Sequence, residues 1–130
     1  MGNPVSILIV ENEYLAAHSE KLELENMGYK VYLAFSGEKA IEMITSNMEI
    51  RLILMDIELG KGIDGIQAAD IISSKYDLPV IFLSNHIDYF IPQPEDSMWN
   101  ESFCRKNSQP ELIKRKISNV LENCDLYLHM

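Results

Sequence analysis

The chain has 130 residues, 47% of them hydrophobic, and a net charge of −9 from 20 acidic and 11 basic side chains. That length supports one globular domain with one core, and the acidic balance excludes a surface built to neutralise nucleic-acid phosphates. No apolar run approaches the roughly 20 residues of a membrane span. Met1-Gly2-Asn3-Pro4 also lacks the basic-then-apolar layout of a signal peptide, so a cytoplasmic protein is expected. Cys104 and Cys124 have no metal-ligand spacing and are expected to be reduced thiols.

In chain order, Ile7-Leu8-Ile9-Val10 is an apolar run of strand length that ends in Glu11-Asn12-Glu13. Residues 14–27 are predicted helical, with Leu15, His18 and Leu22 near helical spacing and Gly28 as the stop. Tyr29 to Ala34 alternates as a strand. Ser36-Gly37-Glu38-Lys39 opens a second helix, whose apolar stripe is Ala40, Ile41, Ile44 and Met48. A central strand over 51–57 contains Leu52-Ile53-Leu54-Met55 and delivers Asp56 at its end. A loop from Glu58 to Gly65 leads to a third helix carrying Ile66, Ala69, Ile71 and Ile72, closed by Asp77-Leu78-Pro79. Val80-Ile81-Phe82-Leu83 is the fourth strand and ends in Ser84.

The segment 86–101 reads as a short or displaced helix: Ile87, Phe90 and Ile91 have helical spacing, but Pro92 and Pro94 forbid a regular one. Ser102-Phe103-Cys104-Arg105 is the fifth strand and runs into Lys106. Ser108 is predicted to cap the last helix, with Pro110 in the first turn and Glu111 closing a capping box. Leu112, Ile113, Ile117, Val120, Leu121 and Cys124 form its core stripe, and Lys114, Arg115 and Lys116 its solvated side. Five strands and five helices in strict alternation imply right-handed crossovers and a parallel sheet covered on both faces.

In such a sheet the strand C-termini line one edge, and ligands bind beyond that edge. Here the strands deliver the carboxylate of Asp56, the acids Glu11 and Glu13, the hydroxyl of Ser84 and the ammonium of Lys106 to one place. Clustered carboxylates cost energy unless a cation sits among them, and all-oxygen ligation suits Mg²⁺. The backbone carbonyl of Glu58 could join such a set. An ion there would hold an incoming phosphate beside Asp56, which could attack it to form an acyl phosphate. Lys106 would neutralise phosphoryl oxygens and Ser84 would hydrogen-bond one of them. The competing reading is that Glu11, Asn12 and Glu13 only cap the first helix.

The chain resembles the receiver domain of two-component response regulators over about residues 5–124. The resemblance is carried by Glu11-Asn12, Asp56 within Leu54-Met55-Asp56-Ile57, the Asp64-Gly65 turn, Ser84, Lys106, and the helix opening Ser36-Gly37-Glu38-Lys39-Ala40. It implies one flavodoxin-like (βα)5 doubly wound domain over 1–130, with a five-stranded parallel sheet in the order 2-1-3-4-5. It further implies Mg²⁺-dependent phosphorylation of Asp56 by a histidine kinase or phosphotransfer protein, with Glu11 and Asn12 at the metal positions. No enzymatic turnover is implied beyond self-phosphorylation from small donors and autodephosphorylation. Ser84 would then move toward the phosphoryl group while Phe103 rotates inward. The output would pass to an unidentified protein partner through the face of the fourth helix, fifth strand and fifth helix, a face that could also pair two copies.

Two positions depart from the family pattern. Asn12 stands where a second acid is usual, so weaker Mg²⁺ binding is expected because an amide oxygen brings no charge. Asn107 stands where proline follows the lysine, and a trans peptide is expected because a non-proline cis bond costs about 2.5–4 kcal/mol. Both support an alternative, a pseudo-receiver that binds partners and switches without phosphate. A flavin-binding role is disfavoured, because Glu11-Asn12-Glu13-Tyr14 would repel a phosphate that lacks a metal.

Overall fold

A computed structural model describes residues 4–85, 102–106 and 108–128, with side chains described as far as Glu122. The expected helix within 86–101, the side chain of Cys124 and the 106–107 peptide lie outside the described residues. The strands β1 (Ser6–Val10), β2 (Lys30–Ala34), β3 (Ile50–Asp56), β4 (Val80–Ser84) and β5 (Phe103–Arg105) form one sheet in the order β2-β1-β3-β4-β5. Every pairing is parallel, with Val10 opposite Met55 and Asp56 opposite Leu83.

Continuous apolar runs make these strands because both sheet faces are covered. Successive side chains alternate between the faces. On one face Leu8, Val10, Ile53 and Met55 pack on Ala40 and Ile44 of α2 (Gly37–Ser46) and on Ala68 and Ile72 of α3 (Gly65–Ser73). On the other, Ile7, Ile9, Leu52 and Leu54 meet Leu24 of α1 (Tyr14–Asn26) and Ile117 of the C-terminal helix (Pro110–Leu128). Each large side chain buried this way stabilises the fold by roughly 1.5–3 kcal/mol. Ser36 caps α2 by accepting the Lys39 N–H at 3.1 Å, and Asp64 and Gln67 close a capping box on α3. Among the described residues no helix is long and apolar enough to cross a membrane.

Several local expectations are corrected. In α1, Leu15 and Leu22 are 85% and 62% exposed, while Ala17 and Leu24 are buried. This helix carries apolar residues around its whole circumference, so spacing alone did not select a face. The small Ala17 lets the helix axis approach the sheet, and that decides the orientation. Met48 lies past the end of α2 and is exposed, and Ile66 and Ile71 are partly exposed on α3. Helix α3 stops at Ser73, short of Asp77. The C-terminal helix is capped at Gln109, whose carbonyl accepts the Leu112 N–H at 3.0 Å. The Ser108 hydroxyl instead donates to the Arg105 carbonyl at 2.7 Å. Cys104 is buried in the sheet.

Candidate functional site

The sheet edge assembles the site by register. Glu11 continues β1 and is anchored by its N–H to the Ala34 carbonyl at 3.0 Å. Asp56 ends the neighbouring β3, and both carboxylates are fully buried. Lys106 leaves β5 with its N–H on the Ser84 carbonyl at 3.1 Å. Its ammonium lies 2.9 Å from Glu11 Oε1 and 2.9 Å from Asp56 Oδ2. Main-chain donors take the other oxygens: the Glu13 N–H reaches Glu11 Oε2 at 3.1 Å, and the Glu58 N–H reaches Asp56 Oδ1 at 3.0 Å. The chain then turns back so tightly that a Cβ on Gly65 would lie 2.1 Å from the Asp56 carbonyl oxygen. Only glycine fits there, and its N–H closes the turn on the Ile57 carbonyl at 3.0 Å.

Two buried acids share one ammonium, so the cluster keeps one uncompensated negative charge. Burial pushes the Asp56 carboxyl up to about 6; the Lys106 hydrogen bond opposes this and the Glu11 charge adds to it. Burial pulls the Lys106 ammonium down, but hydrogen bonds to Asp56 and Glu11 outweigh it, leaving a net rise. A third acid, Glu20, was not singled out from the sequence. It lies on the sheet-facing side of α1 between Ala17 and Leu24, and its Oε2 is buried without a hydrogen-bond partner. Burial and the Glu11 charge raise its carboxyl to about 7. Glu20 borders a cavity of about 140 Å³, also lined by Glu23, Leu24, Lys106 and Ile113. The available signal was an acid three residues after Ala17 and four before Leu24, on a helix whose other face is exposed.

Of the remaining candidates, Ser84 is buried and its hydroxyl donates to Glu58 Oε1 at 3.0 Å. Glu58 was anticipated for its carbonyl, yet its N–H and its carboxylate are the groups engaged with Asp56 and Ser84. The Asn12 and Glu13 side chains are exposed. A Cβ on Gly60 would stand 3.2 Å from Asn12 Nδ2, which places that amide beside the β3–α3 loop. Glu13 occupies the cap position of α1 without a side-chain cap bond. Phe103 is buried against Ile57 and Phe82, with 5.2 Å between the phenyl rings.

No group of three or more His, Cys, Asp or Glu side chains is arranged to hold a metal among the described residues. A cation here would rest on two carboxylates, Glu11 and Asp56, completed by neutral oxygens such as the Asn12 amide and the Glu58 carbonyl. Oxygen donors with residual negative charge fit a hard divalent ion.

The doubly wound parallel sheet and the buried acid–lysine cluster at its carboxyl edge define a flavodoxin-like α/β domain with a polar switch-point site. The family model for the response regulator receiver domain matches residues 7–117, and the chain belongs to that family. It is 29% identical over 118 residues to the phyllosphere-induced regulator PhyR of Methylorubrum extorquens, covering 88% of this chain and 43% of that protein. It is 32% identical to the N-terminal domain of a response regulator/sensory box/GGDEF three-domain protein from Carboxydothermus hydrogenoformans (TM-score 0.80), covering 95% of this chain and 99% of that one. It is 25% identical to the anti-anti-sigma factor PhyR from Bartonella quintana (TM-score 0.83), covering 99% of this chain and 52% of that one. The chain spans less than half the length of the curated relatives it matches.

Proposed function

We propose that the chain acts as a single phosphorylation-switched receiver domain in the cytoplasm, with its core over about residues 5–124 and Asp56 as phosphoacceptor. The observation that carries this reading is the Lys106 ammonium, 2.9 Å from both Glu11 and Asp56 in a buried strand-edge cluster. In the reaction, an Asp56 oxygen attacks the phosphorus of a phosphohistidine on a histidine kinase or phosphotransfer protein. A P–O bond forms and the P–N bond breaks; the electron pair stays on the imidazole nitrogen, which takes up a proton. Lys106 neutralises a phosphoryl oxygen and Ser84 hydrogen-bonds another. Glu11, Asp56, Asn12 and the Glu58 carbonyl would hold Mg²⁺, which supplies positive charge against the transferring group. Receiver domains are generally non-enzymatic phosphoacceptors, and this one is assigned no turnover beyond acquiring and losing its own phosphate.

The output passes through a protein partner, by way of Phe103 and the surface around β5 and the C-terminal helix, a surface that also suits pairing of two copies. The name of the Bartonella relative, an anti-anti-sigma factor, fits an output made by protein contact. The exposed amide of Asn12 in place of an acid favours a second reading, a pseudo-receiver that switches without phosphate.

Incubation with acetyl phosphate, with and without Mg²⁺, followed by intact-mass measurement separates the two. The expected result is a Mg²⁺-dependent gain of one phosphoryl group that is absent in Asp56→Asn. No gain at high Mg²⁺, or a gain that survives Asp56→Asn, rejects the phosphoacceptor reading.

A further inference from the structure

We infer that Glu58 is a positioning residue that holds the Ser84 hydroxyl in the resting state and yields it to a phosphoryl group on Asp56. The inference rests on the phosphoacceptor role proposed for Asp56. Ser84 ends β4 one residue beyond Leu83, the register partner of Asp56, so the hydroxyl and the phosphoacceptor stand at the same carboxyl edge of the sheet. At rest that hydroxyl donates to Glu58 Oε1 at 3.0 Å, while the Glu58 N–H binds Asp56 Oδ1 at 3.0 Å. One residue therefore bridges the acceptor and the hydroxyl.

The two bonds differ in how readily they exchange. The Glu58 backbone is fixed on either side. The Ile57 N–H binds the Leu83 carbonyl at 3.0 Å, the Gly65 N–H binds the Ile57 carbonyl at 3.0 Å, and Leu59 is buried. The Glu58 side chain is exposed, so water can solvate its carboxylate once it lets go. A hydrogen bond whose acceptor returns to water contributes little net stability, whereas Ser84 is buried and must keep a partner. A phosphoryl oxygen on Asp56 is such a partner. The carboxylate thus acts as an internal stand-in for the phosphoryl group, and its affinity for the hydroxyl is subtracted from phosphoryl recognition.

The test is a beryllofluoride titration in the presence of Mg²⁺, followed by amide NMR, on wild type, Glu58→Ala, Glu58→Gln, Ser84→Ala and the Glu58→Ala/Ser84→Ala double variant. Beryllofluoride stands in for the phosphoryl group. Glu58→Ala should lower the half-saturating concentration about three- to tenfold, the equivalent of one net hydrogen bond. Glu58→Gln, which keeps an acceptor oxygen without the charge, should gain less. The Glu58→Ala gain should vanish when Ser84 is alanine, because no hydroxyl remains to be released. Equal gains in the Ala and Gln variants, or a gain that persists without Ser84, would mean that Glu58 acts only through its charge, and would overturn the inference alone. Absence of saturation in wild type would overturn both the inference and the phosphoacceptor reading.

Discussion

At the β1–β3 end of the site, Glu11 and Asp56 are fully buried and each lies 2.9 Å from the same ammonium. At the β4 end, a buried hydroxyl is matched to an exposed carboxylate by a hydrogen bond of 3.0 Å. Ionised groups held out of water cannot exchange partners without a large desolvation penalty, whereas an exposed carboxylate can be rehydrated at once. The first region is therefore a fixed charge platform, and the second is a contact built to change. Breaking the platform should have the largest effect. Lys106→Ala leaves two buried acids without their counter-ion and should cost about 3–5 kcal/mol at pH 7.5. The loss should shrink at pH 5, because Asp56, already raised to about 6 with Lys106 beside it and higher still without that ammonium, is then protonated and the repulsion is relieved. Urea unfolding at both pH values measures this, and a loss below about 1 kcal/mol at pH 7.5 would show that the platform is not held by its ion pairs.

A smaller effect comes from adding charge to the platform. Asn12→Asp places a third carboxylate beside those of Glu11 and Asp56, at the mouth of the site. More anionic ligands strengthen divalent binding, so Mg²⁺ affinity by calorimetry should rise roughly tenfold. The same substitution should lower metal-free stability slightly, since it adds a like charge. Unchanged Mg²⁺ affinity would place the ion away from Asn12.

Much of this was legible in the residues because the strands here obey a simple rule. A parallel sheet covered on both faces needs continuous apolar runs, and β1, β3 and β4 are such runs. Each run ends where the chain turns polar, so Glu11, Asp56 and Ser84 announce themselves at the edge. The helices were harder. In α1 both Leu15-Leu22 and Ala17-Leu24 have helical spacing, and only the approach distance to the sheet chooses between them. Spacing alone leaves that choice open, and so leaves Glu20, which lies between Ala17 and Leu24, without a marked role. The Glu58 side chain was hidden for another reason. A loop residue's backbone carbonyl and its side chain are separate ligands, and periodicity says nothing about which one faces the neighbouring strand.

Glu20 carries the smallest of the expected effects and tests whether α1 belongs electrostatically to the fixed region. Its carboxyl is raised from 4.5 to about 7, chiefly by burial and then by the Glu11 charge. Between those values the folded chain holds a proton that the unfolded chain has lost. Stability must therefore fall as pH rises through that window. Asp56, raised from 3.8 to about 6, contributes with the same sign over a lower range. Glu20→Gln removes only the upper part. In metal-free buffer the variant should match wild type near pH 5 and exceed it by about 1 kcal/mol near pH 7.5. That is well short of the full shift, because the residue keeps some solvent contact. Thermal unfolding midpoints across pH 5–8 measure the difference. Parallel curves for the two proteins would mean that Glu20 is hydrated in solution, and that the charge platform ends at the sheet edge instead of reaching into the helix above it.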